Sequence, residues 1–173
     1  MLHSLSVLVE NRAGVLTRVT SLFARRGFNI ESHAVGTTQD AAISRITITL
    51  FGDDDLMRQI TRQLHKVPDV LMVRDLSPEE HFSRELVFIK VRADEQSRTG
   101  ILQIVNIFRG HIIDASPTTL TIEMSGKDDK IKALQELLDP YGILELVRTG
   151  PIAIERGERI MSVSTPEIND PKR

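Results

Sequence analysis

The sequence predicts an α+β protein of two domains, each built from one βαββαβ unit. The chain has 173 residues, 40% hydrophobic and 27% charged, which is enough for two small cores. Both halves show the same order of strand-like alternation and helix-like hydrophobic periodicity, which is an internal repeat. The punctuation repeats as well, because Arg26-Gly27 and Arg109-Gly110 each end the first helix of a half. Each half is therefore predicted to be a ferredoxin-like domain, a four-stranded antiparallel sheet with two helices on one face.

The first domain is predicted over residues 1–77. Leu5, Val7 and Val9 alternate as a strand, and the apolar residues that follow recur at the helical period. Together the patterns predict strands over 5–9, 28–36, 43–51 and 70–76, and helices over 15–26 and 56–64. A sheet of this kind leaves its second face and its edge strands in need of cover, and pairing of two copies through sheet edges is the simplest remedy.

The second domain is predicted over residues 85–161. A polar segment with Pro78, residues 78–84, is predicted to be the linker between the domains. The patterns then predict strands over 86–91, 111–115, 119–124 and 143–147, and helices over 101–108 and 131–138. Residues 162–173 are expected to form a flexible tail.

Composition excludes several classes of function. A formal net charge of -2, a pI near 6.2 and 4% aromatic residues argue against nucleic-acid binding, which favours basic surfaces and stacking platforms. The absence of cysteine excludes disulfides and thiolate chemistry. The N-terminus does not resemble a signal peptide, and no segment reaches the roughly 18 uninterrupted apolar residues of a membrane helix. We therefore expect a cytoplasmic protein that does not bind membranes.

The turn before the first helix carries the most informative residues, Asn11-Arg12-Ala13-Gly14, followed by Val15 and Leu16. Free amides at a helix start attract a carboxylate, and glycine lets a ligand approach the backbone closely. Asn29 and Ile30 follow the turn at the other end of this helix. Taken alone, Asn and Gly between a strand and a helix are also ordinary turn residues, so the pattern by itself leaves a purely structural role open.

The segments Leu5–Leu16 and Arg26–Ser32, with Gln63-Leu64-His65-Lys66, resemble the ACT domain of the small regulatory subunit of acetolactate synthase. Phe108–Asp114 and Arg156-Gly157-Glu158 look like the C-terminal domain of that family. The resemblance implies a non-catalytic subunit that stimulates a separate large catalytic subunit and confers feedback inhibition by valine or another branched-chain amino acid. It also implies that thiamine diphosphate, FAD and magnesium are held by that partner, so this chain is expected to bind no cofactor.

A free amino acid needs N–H donors for its carboxylate, an oxygen acceptor for its ammonium and a shallow apolar wall. We expect the amides of Gly14, Val15 and Leu16 to bind the carboxylate, and the side-chain carbonyl of Asn11 or Asn29 to accept from the ammonium. In the family this site lies between two ACT domains of a homodimer. The resemblance thus implies that Asn11 and Gly14 of one protomer face Asn29 and Ile30 of the other.

Other interpretations compete with this one. A stand-alone ACT protein that binds amino acids would show the same N-terminal pattern. An acylphosphatase-like enzyme would need a glycine-rich anion cradle with an arginine, whereas Gly14 is followed by Val15-Leu16-Thr17 before Arg18. An RRM-like nucleic-acid binder would need exposed aromatic residues on its central strands. The five histidines lack the spacing of metal ligands, and Asp53-Asp54-Asp55 is expected to complement a helix dipole.

Overall fold

The computed structural model of the protein describes residues 1–163, so the predicted tail lies outside the described residues except for Ser162 and Val163. The elements of the first half are β1 (Leu2–Glu10), α1 (Val15–Arg25), β2 (Ser32–Thr37), β3 (Ile43–Phe51), α2 (Asp54–Leu64) and β4 (Val70–Asp75). Those of the second half are β5 (His81–Arg92), α3 (Arg98–Ile107), β6 (His111–Ala115), β7 (Thr119–Gly126), α4 (Asp128–Leu138), a short 3-10 helix (Asp139–Tyr141), β8 (Ile143–Arg148) and β9 (Ile152–Glu155).

The first sheet has the strand order β2-β3-β1-β4. β1 is antiparallel to both of its neighbours, with Leu5 opposite Ile48 on β3 and Val7 opposite Val73 on β4. Period-2 alternation places these side chains on the face that packs against α1 and α2. The buried residues of this core include Leu5, Val7, Val9, Val15, Val19, Phe23, Ile46, Ile48, Met57, Ile60 and Leu64. The predicted ferredoxin-like arrangement is confirmed in this half.

The second sheet repeats the topology, with the strand order β6-β7-β5-β8. Ile89 on β5 lies opposite Ile122 on β7 and Leu146 on β8, and α3 and α4 contribute to the same core. The sheet has a fifth strand that we did not predict, because β9 also pairs with β5. β5 is correspondingly longer than predicted and begins at His81, so residues 81–84 are strand where we predicted linker.

β2 also begins later than predicted, at Ser32 instead of residue 28. Phe28 and Ile30 are apolar because they pack against the first core from the connection after α1. The ring of Phe28 meets that of Phe23 edge to face, with centroids 6.4 Å apart. Burial in a loop therefore produced the hydrophobic pattern that we interpreted as strand.

The chain divides into two compact units. The first comprises Met1–Glu31, Val35–His81 and the described residues from Glu155 onward, and the second comprises Ser32–Ala34 and Phe82–Ile154. Residues 155–161, which we predicted as the end of the C-terminal domain, thus belong with the first unit. Their anchors are ion pairs of Glu155 with Arg74 and of Arg159 with Glu79, and the buried side chain of Met161.

An ion-pair network ties together elements of the second unit. Glu85, whose side chain is only 3% exposed, accepts from Arg148 Nε at 2.9 Å and also from Arg148 Nη2. The same Nη2 donates to Asp128 at the start of α4, at 2.6 Å. The bonds from Arg148, and then those from Lys132, hold the pKa of the Asp128 carboxyl below its ordinary value.

No helix within residues 1–163 is long and apolar enough to cross a membrane.

Candidate functional site

The turn between β1 and α1 is held from both sides. The Glu10 amide donates to the carbonyl of Asp69 at 2.9 Å, and the Asn11 amide donates to the carbonyl of Ala42 at 2.7 Å. Gly14 then adopts φ 81° and ψ -5°, the left-handed conformation that L-residues with a Cβ rarely take. This glycine turns the chain into α1, so the backbone conformation favours glycine here before any ligand is considered.

The first turn of α1 lacks a negatively charged residue. α2 and α4 each carry two aspartates in their first turn, and Asp53 caps α2 by accepting from the Leu56 amide at 2.8 Å. α1 has neither a side-chain cap nor an acidic residue in its first turn. Its positive end is therefore left without a complementary charge from its own first turn, as an anion-binding helix start would be.

The amides at this start are only partly engaged. Val15 N–H donates a long bond of 3.4 Å to the carbonyl of Arg12. The amides of Gly14 and Leu16 have no acceptor anywhere in the described part of the chain. Two of the three predicted donors are thus free, and the third is held weakly.

The two predicted asparagines have their side chains oriented by acceptors. The Asn11 side-chain NH₂ donates to the carbonyl of Ala41 at 2.8 Å, and the Asn29 side-chain NH₂ donates to the carboxylate of Glu31 at 2.8 Å. A carbonyl and a carboxylate can only accept, so the amide orientation follows from the chemistry. Within residues 1–163, both side-chain oxygens remain available to an ammonium group.

Arg18 lies at this turn although we did not assign it to the site from the sequence. Its backbone amide donates to the carbonyl of Gly14 at 3.0 Å, which places Arg18 one helical turn later. Its Nη1 lies 3.5 Å from the position that a Cβ on Gly14 would occupy. The i to i+4 spacing from Gly14 was the signal in the sequence that could have identified it.

A single chain keeps the two halves of the predicted site apart. Asn11, Gly14, Val15 and Leu16 lie at the start of α1, whereas Asn29 and Ile30 lie beyond its end. α1 has 11 residues, so its ends are roughly 16 Å apart along the axis. The two groups of residues therefore meet only if a second copy of the chain supplies one of them.

Comparison with known proteins identifies the family. A family model described as the AHAS small subunit-like ACT domain matches residues 5–72, and one described as the small subunit of acetolactate synthase matches residues 84–157. The chain is 52% identical over 160 residues to a probable acetolactate synthase small subunit from Methanothermobacter thermautotrophicus, covering 92% of this chain and 95% of that protein. The chain belongs to the acetolactate synthase small-subunit family.

Other members give the same result. The acetolactate synthase small subunit of Mycolicibacterium smegmatis is 47% identical over 157 residues, 91% of this chain and 92% of that protein. The crystal structure of the small subunit from Thermotoga maritima superposes with a TM-score of 0.86 at 40% identity, covering 92% of this chain and 99% of that one. The predicted ACT domain and the prediction of a non-catalytic subunit are confirmed by this membership. Membership of this family supports the regulatory-subunit interpretation over the acylphosphatase-like and RRM-like ones.

The acidic and histidine residues singled out in the sequence make contacts within the fold. Within residues 1–163 no group of three or more His, Asp and Glu side chains is arranged to hold a metal ion. Asp53 caps α2, and Asp55 pairs with Arg58 one turn later. His3 is buried, with its Nδ1 3.0 Å from Asp75 Oδ2. These contacts stabilise the fold.

Proposed function

We propose that this small subunit stimulates the large catalytic subunit of acetolactate synthase and makes it sensitive to feedback inhibition by valine. Membership of the family supports the association with a catalytic partner. The uncapped start of α1, with its two free amides, is the observation that supports effector binding. The cofactors thiamine diphosphate, FAD and magnesium are assigned to the catalytic partner, and this chain is proposed to bind none of them.

The effector in this proposal is a free amino acid with a small branched side chain. Its carboxylate accepts from the amides of Gly14 and Leu16, which have no other acceptor in the described chain. Its ammonium donates to the free side-chain oxygen of Asn11 or of Asn29. The exposed edge of Leu16 and the half-buried Ile30 provide an apolar wall for the branched side chain.

The proposed site is completed by a second ACT domain. β2 is an edge strand of the first sheet, and Val35 on it is 47% exposed. Edge strands are prone to pair with another copy. If two β2 strands pair antiparallel, the second sheet runs in the opposite direction. The end of that copy that carries Asn29 is then level with the end of the first copy that carries Gly14.

This arrangement gives the effector a route to the partner enzyme. A ligand that contacts both protomers binds best to one geometry of the dimer, so its binding energy shifts the dimer towards that geometry. The catalytic subunit, if it binds the other geometry better, is then released or inhibited. Linkage requires the reverse as well, so the catalytic subunit must weaken effector binding by the same factor.

Calorimetric titration of the purified full chain with valine tests the proposal. Leucine, isoleucine and alanine serve as comparisons, and the same ligands are added to the reconstituted enzyme while acetolactate formation is followed. We expect saturable binding of valine at one site per protomer or fewer, and inhibition that follows the same affinity. The branched amino acids should differ by about 1 to 3 kcal/mol, since they differ by a methylene or a branch point.

Two results would contradict the proposal. If the chain leaves the rate of the catalytic subunit unchanged, it is not a stimulating subunit, and a stand-alone ACT protein becomes the better description. If neither the free chain nor the reconstituted enzyme binds any branched amino acid, the effector site is not functional.

The cytoplasmic location stays a prediction, which fractionation of the source cells would test.

A further inference from the structure

We infer that Arg18 is the cation that recognises the carboxylate of the effector, so that the site selects α-amino acids with a free carboxylate over their neutral derivatives. The inference rests on the proposed effector site at the start of α1 and adds a residue that the ACT pattern in the sequence did not identify. Three features of Arg18 carry it: its position over Gly14, its unused donors and the way Asp69 holds it.

Position is the first feature. Nη1 of Arg18 is 3.5 Å from the point where a Cβ on Gly14 would lie. The guanidinium therefore borders the space that glycine leaves open beside the free amides of Gly14 and Leu16. A carboxylate in that space would meet backbone N–H groups and a guanidinium together, and charge-assisted hydrogen bonds of this kind are roughly twice as strong as neutral ones.

The second feature is the set of donors that Arg18 leaves unused. Nε donates to Asp69 Oδ2 at 2.7 Å. Neither Nη1 nor Nη2 has an acceptor within the described residues. Because Nε alone contacts Asp69, the two terminal nitrogens keep their parallel N–H groups free. That pair of donors matches the two oxygens of a carboxylate.

The third feature is the support under Arg18. The carboxylate of Asp69 is only 14% exposed, and its backbone carbonyl accepts from the Glu10 amide at the end of β1. Asp69 is thus fixed to the same turn that presents the free amides. Arg18 itself is 49% exposed, so an isolated pair with Asp69 would contribute little to stability. Holding the guanidinium in place for a ligand gives the contact a function, and Asp69 is a positioning residue.

A double comparison of variant and ligand tests the inference. Valine and valinamide share the ammonium and the side chain, but valinamide carries a neutral amide in place of the carboxylate. Both are titrated calorimetrically into the full chain and into the reconstituted enzyme, for wild type, Arg18→Gln and Arg18→Lys. Arg25→Gln is the matched control, because it removes the same charge from an exposed position in the last turn of α1.

We expect wild type to prefer valine to valinamide, and Arg18→Gln to lose roughly 10-fold to 150-fold in valine affinity. The affinity of Arg18→Gln for valinamide should remain that of wild type, which also shows that the variant is folded. Arg18→Lys should recover part of the loss, because it keeps the charge without the paired donors. Asp69→Asn should weaken valine binding less than Arg18→Gln does, and should leave valinamide binding unchanged.

The outcomes separate the inference from the function on which it rests. Valine binding by wild type that is retained in Arg18→Gln overturns the inference alone. An equal loss for valine and valinamide also overturns it, because the effect would then be structural. Absence of valine binding in both wild-type preparations overturns the proposed effector function, and the role of Arg18 with it.

Discussion

Gly14→Asp is the substitution that most directly perturbs the proposed site. The new side chain meets no wall, since the nearest atom to its Cβ is Arg18 Nη1 at 3.5 Å. The cost to folding comes from the backbone, because φ 81° is a left-handed conformation that costs a residue with a Cβ about 1 to 2 kcal/mol. For a chain of this length that corresponds to a fall in Tm of about 2 to 8 °C. The protein should therefore fold and still stimulate its partner.

The effect on the effector should be far larger. The introduced carboxylate would pair with the guanidinium of Arg18 and occupy the space beside the free amides. A ligand carboxylate about 4 Å from it near the protein surface would be repelled by about 4 kcal/mol. That energy corresponds to roughly a thousandfold loss of affinity, so valine should neither bind detectably nor inhibit.

Gly157→Asp is the matched control. Gly157 has φ 80°, and no atom of the described residues lies within 4 Å of an added Cβ, so Gly157→Asp reproduces the backbone strain and the new charge outside the proposed site. Calorimetry and the inhibition of acetolactate formation are measured on both variants. If Gly14→Asp binds valine as wild type does, the effector does not use this turn. If Gly157→Asp loses binding equally, strain and not the site explains the effect.

Four further predictions follow from contacts described above. Asn29→Ala removes an acceptor for a charged ammonium, so valine affinity in calorimetry should fall roughly 10-fold to 150-fold. Val35→Lys puts a charge on the exposed edge of β2, so a dimer formed through that edge should dissociate in sedimentation. Arg148→Met leaves the buried Glu85 carboxylate unpaired, which should cost about 3 to 5 kcal/mol in urea unfolding, and adding Glu85→Met should recover most of it. The pKa of Asp128 lies below its ordinary 3.8, so the stability that its carboxylate contributes is complete well above pH 3.8. That contribution is lost as the pH falls through the lower pKa of the folded state. Asp128→Asn should remove this acid-dependent loss of stability in unfolding curves below about pH 4.

Each of these predictions has a control in the chain. Asn106→Ala alters an exposed asparagine of α3, and Leu144→Lys places the same charge at a side chain that is 46% exposed. Arg58→Met breaks an ion pair between two exposed side chains and should change stability by about 1 kcal/mol or less. Asp129→Asn alters the neighbouring aspartate of α4. A variant that behaves like its control would contradict the role given to that residue.

Hydrophobic periodicity predicted both βαββαβ units because the strands and helices of each unit bury one face on the core of that unit. It placed the start of β2 too early, since Phe28 and Ile30 are partly buried from a loop and periodicity does not distinguish such a loop from a strand. It also missed β9. That strand has only four residues, Ile152–Glu155, and its partner segment at the start of β5 carries the polar residues that we interpreted as linker.

The site was predictable where it depends on the backbone and less so where it depends on side-chain reach. Gly14 in a left-handed turn before a helix follows from local conformation, and the resemblance supplied Asn29. Arg18 was missed because helical spacing shows only which residues share a face of α1. The hydrogen bond that holds its guanidinium runs to Asp69, which lies 51 positions away in the sequence. Long-range partners of this kind are fixed by the fold, and no local pattern encodes them.

The return of the chain to its first unit has a consequence for synthesis. Arg74 and its partner Glu155 are separated by 81 residues. A ribosome that adds about 5 to 20 residues per second delivers the second of these residues roughly 4 to 16 s after the first. During that interval the ACT domain is present without Glu155, the partner of Arg74. The residues that complete the first unit are synthesised only after those of the second sheet. A truncated messenger that ends before Glu155 would yield an ACT domain that never completes this step.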